Sequence, residues 1–454
     1  MQTIRKMIFG SMLWMLTGSV VMAQEVKPLQ LKDALKYALD HYAEAKKARL
    51  DLENADYQID EVRSRALPQI NGTGALNYNP LLQMSALPGE LNPTNPGQTM
   101  LIAFGQKWNA NLGVSLTQNL FDQSVFTGLK AAKSTKEFYA LNAQLTEEKV
   151  LEQVATAYYQ VWVQDQRIVN IDSNIKTTEK VRAVINGQYE NGLGKKIDVD
   201  RLDVKLINLN SQKQQLMNAF TLYENQLKFL IGLPIGEKIS LAKIDPNVAP
   251  VTLADISGPA DVEQRTEMQV LKKQEELANY KKQSVVAEYY PTLSLSANYS
   301  YQGLSNKFPV FKGISQGANW FDVSTVGLNL RIPIFNGRAT RSRINQADIS
   351  LRKLKEDMKL TEQNLNLEFE NAKTQHNNAL IVLNNQEKNI ELAQKVLFNT
   401  QNNYREGLAP LTDLLDAQNA LYDAQNAHAV SVLDLRVAEI KMLKAKGQLN
   451  TLIN

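Results

Sequence analysis

The chain has 454 residues, 44% of them hydrophobic and 21% charged, with a formal net charge of +3 at pH 7. That composition is globular rather than disordered, and no run beyond the first residues is apolar enough for a membrane-spanning helix. The nearly balanced charge argues against a nucleic-acid partner, and the absence of Cys excludes disulfides, a thiolate metal site and a cysteine-borne lipid anchor.

At the start, Arg5 and Lys6 precede an apolar stretch from Met7 to Met22 that ends in Val21-Met22-Ala23. A basic region, a short apolar region and a small residue at the cleavage position predict a secretory signal peptide over 1–23; the alternative is an N-terminal anchor helix. Its removal leaves a net charge of about +1, further from what a nucleic-acid binder carries.

A first helix is predicted over 31–65, with Leu31, Leu35, Ala38, Leu39 and Tyr42 on one face. The period then changes to two. Ile70, Gly72, Gly74, Leu76 and Tyr78 alternate with Gln69, Asn71, Thr73 and Asn77, and a second strand follows at Trp108, Ala110, Leu112, Val114 and Leu116. Between them Pro80 to Gly105, with Pro88, Gly89, Pro93, Pro96 and Gly97, reads as a long loop and not as an element. Leu120-Phe121-Asp122 hands over to a helix from Ser124 to Gln188, roughly 95 Å long at 1.5 Å per residue. A return helix over about 197–231 completes a first repeat, 24–235. The connector 236–260 follows, marked by Pro246, Pro250, Gly258 and Pro259.

The second repeat, 261–454, restates the scheme. After a helix over about 261–289, Leu293, Leu295, Ala297, Tyr299 and Tyr301 alternate with Ser and Asn, as Val326, Leu328, Leu330, Ile332 and Ile334 alternate with Thr325, Gly327, Asn329 and Arg331. Ile334-Phe335-Asn336 matches the earlier exit, and a second long helix runs from Arg338 to Asn403 before a return helix over about 410–448. Tyr189-Glu190-Asn191-Gly192-Leu193 and Tyr404-Arg405-Glu406-Gly407-Leu408 share Tyr-x-x-Gly-Leu 215 residues apart, which marks a tandem duplication. On the same offset Val154, Val161, Ile168, Ile175 and Tyr189 pair with Phe369, His376, Leu383, Ile390 and Tyr404, and Val199, Leu206, Phe220 and Leu227 pair with Leu414, Leu421, Leu435 and Met442. The apolar seams sit on seven-residue frames, as in helices packed sideways on neighbours.

Two strands per repeat give four in all. Nine to eleven tilted residues span a bilayer, and alternation of apolar with small polar residues suits lipid on one face and water on the other. A soluble sheet with its apolar face on a core has the same pattern; the signal peptide, the long loops and the aromatic residues near strand ends (Tyr78, Trp108, Phe121, Tyr301, Trp320, Phe335) favour the membrane. Four strands cannot close a barrel and open edges are costly in lipid, so a membrane sheet requires protomers to pool strands. By length, the helices over 197–231 and 261–289 together match one long helix, as do those over 410–448 and 31–65. Short helices stacked end to end can therefore run beside each long one.

No catalytic, phosphate-loop or zinc motif is present, and His41, His376 and His428 lie inside helical patterns without ligand spacing, so neither enzyme nor cofactor is expected. The hairpin tips remain. Each Gly suits the left-handed C-cap of a helix. Asp198, Asp413 and Asp416 either charge the first turn of a return helix or, if the tips converge on a symmetry axis, form an acidic constriction as in cation-selective pores. Both roles are compatible.

Signal peptide, duplicated halves, paired strands, long and short helices, Phe-Asp and Phe-Asn strand exits and Tyr-x-x-Gly tips together resemble the TolC family of outer-membrane efflux proteins, across essentially the whole mature chain. The resemblance implies a mainly α fold with a small β part: a homotrimer whose twelve strands form one β-barrel in outer-membrane lipid, continued by a long α-helical barrel across the periplasm. It implies passive exit of substrates received from an inner-membrane pump through a periplasmic adaptor. Asp413 and Asp416, with Asp198, would line the periplasmic constriction, and Tyr189, Gly192, Leu193, Tyr404, Gly407 and Leu408 would meet the adaptor. The chain departs from the pattern at Arg201, where the second repeat has Asp416, and at Ala409-Pro410, which leaves the second tip no basic residue after Leu408, whereas the first has Lys195 and Lys196. A one-step protein secretion channel fits the same residues, and a periplasmic coiled-coil adaptor or scaffold with a small soluble sheet is the alternative of another class.

Overall fold

The computed structural model describes residues 28–91, 93–242, 261–308 and 318–453. The signal peptide expected over 1–23, and most of the 236–260 connector, lie outside the described residues. Two short helices, α1 (Leu31–His41) and α2 (Ala43–Ser64), lead to the first strand, β1 (Gln69–Tyr78). Strands β2 (Gln83–Leu87) and β3 (Met100–Phe104) precede β4 (Trp108–Phe121), which turns directly into α3 (Gln123–Glu190). The Asp122 side chain caps that helix, accepting from the Ser124 amide at 2.8 Å and from its hydroxyl at 2.6 Å. After α4 (Lys196–Ile231) the second repeat contributes α5 (Thr266–Ala287), β5 (Thr292–Ser305), β6 (Ala318–Arg331), α6 (Ala339–Arg405) and α7 (Leu411–Ala445). Among the described residues no helix is long and apolar enough to cross a membrane.

The four long strands form one antiparallel sheet in the order β1-β4-β5-β6. Gln69 faces Thr117, Leu293 faces Phe121 and Thr292 faces Arg331, so every strand end joined to a helix lies at the same end of the sheet. The adjacency of β4 and β5 joins the repeats and leaves β1 and β6 as open edges. Both faces are bare: Ile70, Val326 and Leu328 on one are 66%, 75% and 66% exposed, and Phe321 and Val323 on the other are 43% and 39% exposed.

Two expectations need correction here. The stretch read as a loop contains a hairpin, β2 on β3, with Gln83 opposite Phe104 and Leu87 opposite Met100. The Pro and Gly residues that argued for a loop are confined to the turn beyond Leu87, and five residues of alternation per strand are too few to stand out. The described residues thus hold six strands, not four. The last strand also ends at Arg331 rather than Ile334, because Pro333 has no amide to donate to a ladder.

Ion pairs locate the helices. The sheet-proximal half of α3 meets α2 through Lys136–Asp56 at 2.5 Å and Arg49–Glu147 at 3.2 Å, and meets the start of α5 where the Thr266 hydroxyl donates to Glu148 at 2.6 Å. Its distal half meets α4 through Lys213–Asp172 at 2.8 Å and α7 where Trp162 and Val163 pack on Val432 and Leu435, and α7 first joins it near mid-length through Lys444–Glu152 at 3.1 Å. Helix α6 lies beyond α5 (Lys282–Asp348, 2.8 Å) and α7 (Lys441–Gln375, 3.1 Å). The order across the protomer is therefore α2 above α4, then α3, then α5 above α7, then α6. Short helices do stack end to end, but not in the pairing that length suggested. Helices α2 and α5 both feed strands and must both take the proximal half, and α5 lies on the opposite flank of α3 from α4.

Both stacked junctions turn on a glycine. Gly232 (φ +78°) ends α4 against His41 and brings Phe229 edge-on to Tyr42 at 5.9 Å; Gly447 (φ +69°), again 215 residues on, follows α7 beside Arg265 at the start of α5. The largest apolar core sits at this height, where Leu35, Val150, Leu151, Val154, Tyr158, Val161, Leu227, Ile231 and Ile440 are buried together. Each such side chain contributes on the order of 2 kcal/mol. A parallel bridge between Leu29 and Leu241 closes it, with the Tyr158 hydroxyl donating to the Leu29 carbonyl at 2.9 Å.

The two lateral flanks stay uncovered. On α6, Ile349, Leu360, Leu367, Ile381, Leu392 and Val396 share one face and are all more than half exposed. At the other flank α4 exposes Ile197, Val204, Leu222 and Phe229.

Candidate functional site at the hairpin tips

The chain reverses twice at the end farthest from the sheet. At the first tip Gly192 (φ +76°) donates to the Tyr189 carbonyl at 2.9 Å and Leu193 donates to Gln188 at 2.7 Å; at the second, Gly407 (φ +75°) donates to Tyr404 at 3.0 Å and Leu408 to Asn403 at 2.8 Å. These paired bonds satisfy the last carbonyls of α3 and α6, and the left-handed residue they require is the reason for glycine at both places. Leu193 and Leu408 project into solvent, 83% and 77% exposed.

Beyond the turns the tips differ. Tyr189 is exposed, whereas Tyr404 packs against a cluster of Ile185, Val199, Leu202, Leu411 and Leu414 drawn from α3, α4 and α7. Burial, helped by the carboxylate of Asp198, pushes the Tyr404 phenol above its ordinary range. The fold thus brings the first repeat's acid beside the second repeat's tyrosine. Asp198 is half-buried and held at 3.6 Å by Arg201, the residue standing where the second repeat has Asp416.

Asp413 and Asp416, three residues apart on α7, are both exposed. Asp413 lies in the first turn, where the amide dipoles favour an anion, and Pro410 supplies no side-chain cap. Asp416 lies across a groove of about 520 Å³ between α4 and α7 whose other wall carries Arg201 and Lys205. The half-buried Lys205 ammonium donates to the Leu415 carbonyl and to Gln418 Oε1, both at 3.5 Å. Burial pulls its pKa below the ordinary lysine range, with the Asp416 charge acting in the opposite direction.

Lys205 escaped the reading of the sequence because its partners are more than 200 residues away. A signal existed: Lys205 stands one heptad after Asp198, on the same face of α4. Arg182 on α3, ion-paired to Asp203 on α4, escaped in the same way. Among the described residues no group of three or more acidic or histidine side chains gathers as a metal site. What the tips hold is a set of charged side chains beside two glycine-capped turns at an exposed end.

Comparison with known proteins extends this picture. Residues 34–233 and 262–448 match the family described as outer membrane efflux protein. Outer membrane protein TolC of Vibrio cholerae is 21% identical over 403 residues, covering 86% of this chain and 84% of that one. The probable efflux pump outer membrane protein TtgC of Pseudomonas putida is 23% identical, covering 88% and 78%, and the alkaline protease secretion protein AprF of Pseudomonas aeruginosa is 22% identical, covering 74% and 69%. In fold, the crystal structure of the outer membrane protein VceC from Vibrio cholerae matches with a TM-score of 0.70 at 15% identity, over 92% of this chain and 96% of that one.

Proposed function

The chain belongs to the outer membrane efflux protein family, and from that membership we propose that its tips form the acidic periplasmic constriction of a passive duct for small toxic compounds. It is an outer-membrane protein that extends into the periplasm, and an exit channel. In the proposed assembly three protomers pair the β6 edge of one with the β1 edge of the next, giving one twelve-stranded barrel, and the apolar flanks of α6 and α4 meet in the helical barrel below it. An inner-membrane pump loads the duct through a periplasmic adaptor that contacts Tyr189, Gly192 and Leu193 at one tip and Tyr404, Gly407 and Leu408 at the other.

The observation that carries the reading is placement. Asp198, Asp413 and Asp416 lie beside glycine-capped turns at the far end of helices roughly 100 Å long, as far from the sheet as the described residues reach. A ring of carboxylates there raises the local concentration of cations and rejects anions. In planar bilayers Asp413→Ala with Asp416→Ala is expected to move cation and anion permeabilities toward equality; unchanged reversal potentials remove the ring from the mechanism.

The likeness to AprF favours a second reading, a channel for protein secretion. A strain lacking the gene separates the two. Sensitivity to toxic compounds with an unaltered set of secreted proteins supports efflux, and the reverse supports secretion.

A further inference from the structure

The end of the sheet that joins the helices carries an apolar collar at all four strand exits. Leu67 before β1, Phe126 after β4, Tyr289 and Tyr290 before β5, and Ile334 and Phe335 after β6 are exposed, the last two by 94% and 83%. The collar recurs at the inner exits β4 and β5 as well as at the edges, so a neighbouring protomer along the open edges does not account for it.

Just beyond the collar, on the helix side, lies an excess of positive charge. Lys130, Lys281, Arg338 and Arg341 are exposed and, among the described residues, have no ion-pair partner. The acids at the same level are engaged. Asp122 caps α3, Glu288 takes Arg343 and the Thr340 hydroxyl, and Asp348 takes Lys282 and Arg352.

An exposed apolar ring continuous with a membrane-spanning sheet, bordered by unpaired cations, complements one surface: acyl chains ending in anionic headgroups. Because the helices extend into the periplasm, this end of the sheet meets the periplasmic leaflet. We propose that the collar is a binding surface for anionic phospholipid of that leaflet, with Lys130, Arg338 and Arg341 on the headgroup phosphate and Phe126, Ile334 and Phe335 among the upper acyl carbons. Arginine suits this role through its fork of donors to phosphate oxygens.

The test is competitive retention. The purified full-length protein in detergent is incubated with equimolar phosphatidylglycerol and phosphatidylcholine of the same acyl chains, washed by size exclusion, and its retained lipids are counted. Phosphatidylglycerol is expected to be enriched at least about fivefold. Lys130→Gln with Arg338→Gln and Arg341→Gln should bring the two lipids to parity, while Arg338→Lys with Arg341→Lys should keep the preference. Parity in the parent protein, or undiminished enrichment in the glutamine variant, overturns the proposal. Should the glutamine variant fail to assemble, salt replaces it: enrichment in the parent must fall as ionic strength rises, and indifference to salt is equally fatal. The proposal relies on the outer-membrane location but not on the gate. A protein that conducts in bilayers without lipid preference sinks only the collar, and one that does not conduct sinks the duct.

Discussion

Lys205 gives the second tip the basic neighbour that Ala409-Pro410 denies it, and gives it from the other repeat. Its ammonium shares a groove with Asp416 and donates across it to α7, so it ties α4 to α7 and, in the proposed constriction, offsets one carboxylate. Lys205→Met is therefore expected to raise cation selectivity in planar bilayers while costing about 1 kcal/mol for the lost hydrogen bonds. Lys205→Arg should leave selectivity near the parent value. A methionine variant with lower selectivity would show that Lys205 does not offset Asp416. The sequence displayed every residue of this site, and the duplication placed the acids and tyrosines by offset. It did not display the pairings, because Asp198 meets Tyr404 and Lys205 meets Leu415 only once two hairpins are laid side by side.

At the scale of elements, the left-handed glycines divide into two kinds. At the tips an added methyl meets nothing within 4 Å of Gly407, so Gly407→Ala costs only the backbone strain, about 1 kcal/mol. At the junction the same methyl on Gly232 lies 2.9 Å from the His41 backbone, so strain and collision add. Gly232→Ala should lower the thermal midpoint, followed by far-ultraviolet circular dichroism, clearly more than Gly407→Ala; equal shifts would mean that α4 and the end of α1 do not bear on one another. The long helices were legible because their heptads run unbroken by proline, and so were four strands, through alternation over ten or more residues. The β2–β3 hairpin was hidden by brevity, and the pairing of stacked helices by the fact that length carries no information about which flank of α3 a segment occupies.

In the whole molecule, four helices are tied together at mid-height by one charge network. Arg265, 2% exposed, donates to Glu267 at 2.7 Å and to Glu368 at 3.4 Å; Lys444 joins Glu368 at 3.2 Å and Glu152 at 3.1 Å. Burial opposes charge on Glu267, but the hydrogen bonds and charge of Arg265 outweigh it, and the carboxyl titrates below its ordinary range. A lowered folded-state pKa stabilises above the unfolded value, and the contribution is lost as pH falls through the folded one. Acidification below the ordinary carboxylate range should therefore speed amide exchange over 262–268, a region that Arg265→Met should expose even at neutral pH by taking from Glu267 its ion-pair partner while Glu368 keeps Lys444, at a cost of about 3 kcal/mol. Exchange there that is indifferent to acid would remove the network from the junction's stability. The duplication has one further consequence. In the proposed trimer each chain supplies two tips of alternating character, basic after Leu193 and neutral after Leu408, but among the described residues only one β2–β3 hairpin, at the opposite end of the sheet. The rotational order of the assembly therefore falls along its axis, from nearly sixfold in the periplasm to strictly threefold at the outer rim, so a binder in register with the rim finds half as many equivalent places as one in register with the tips.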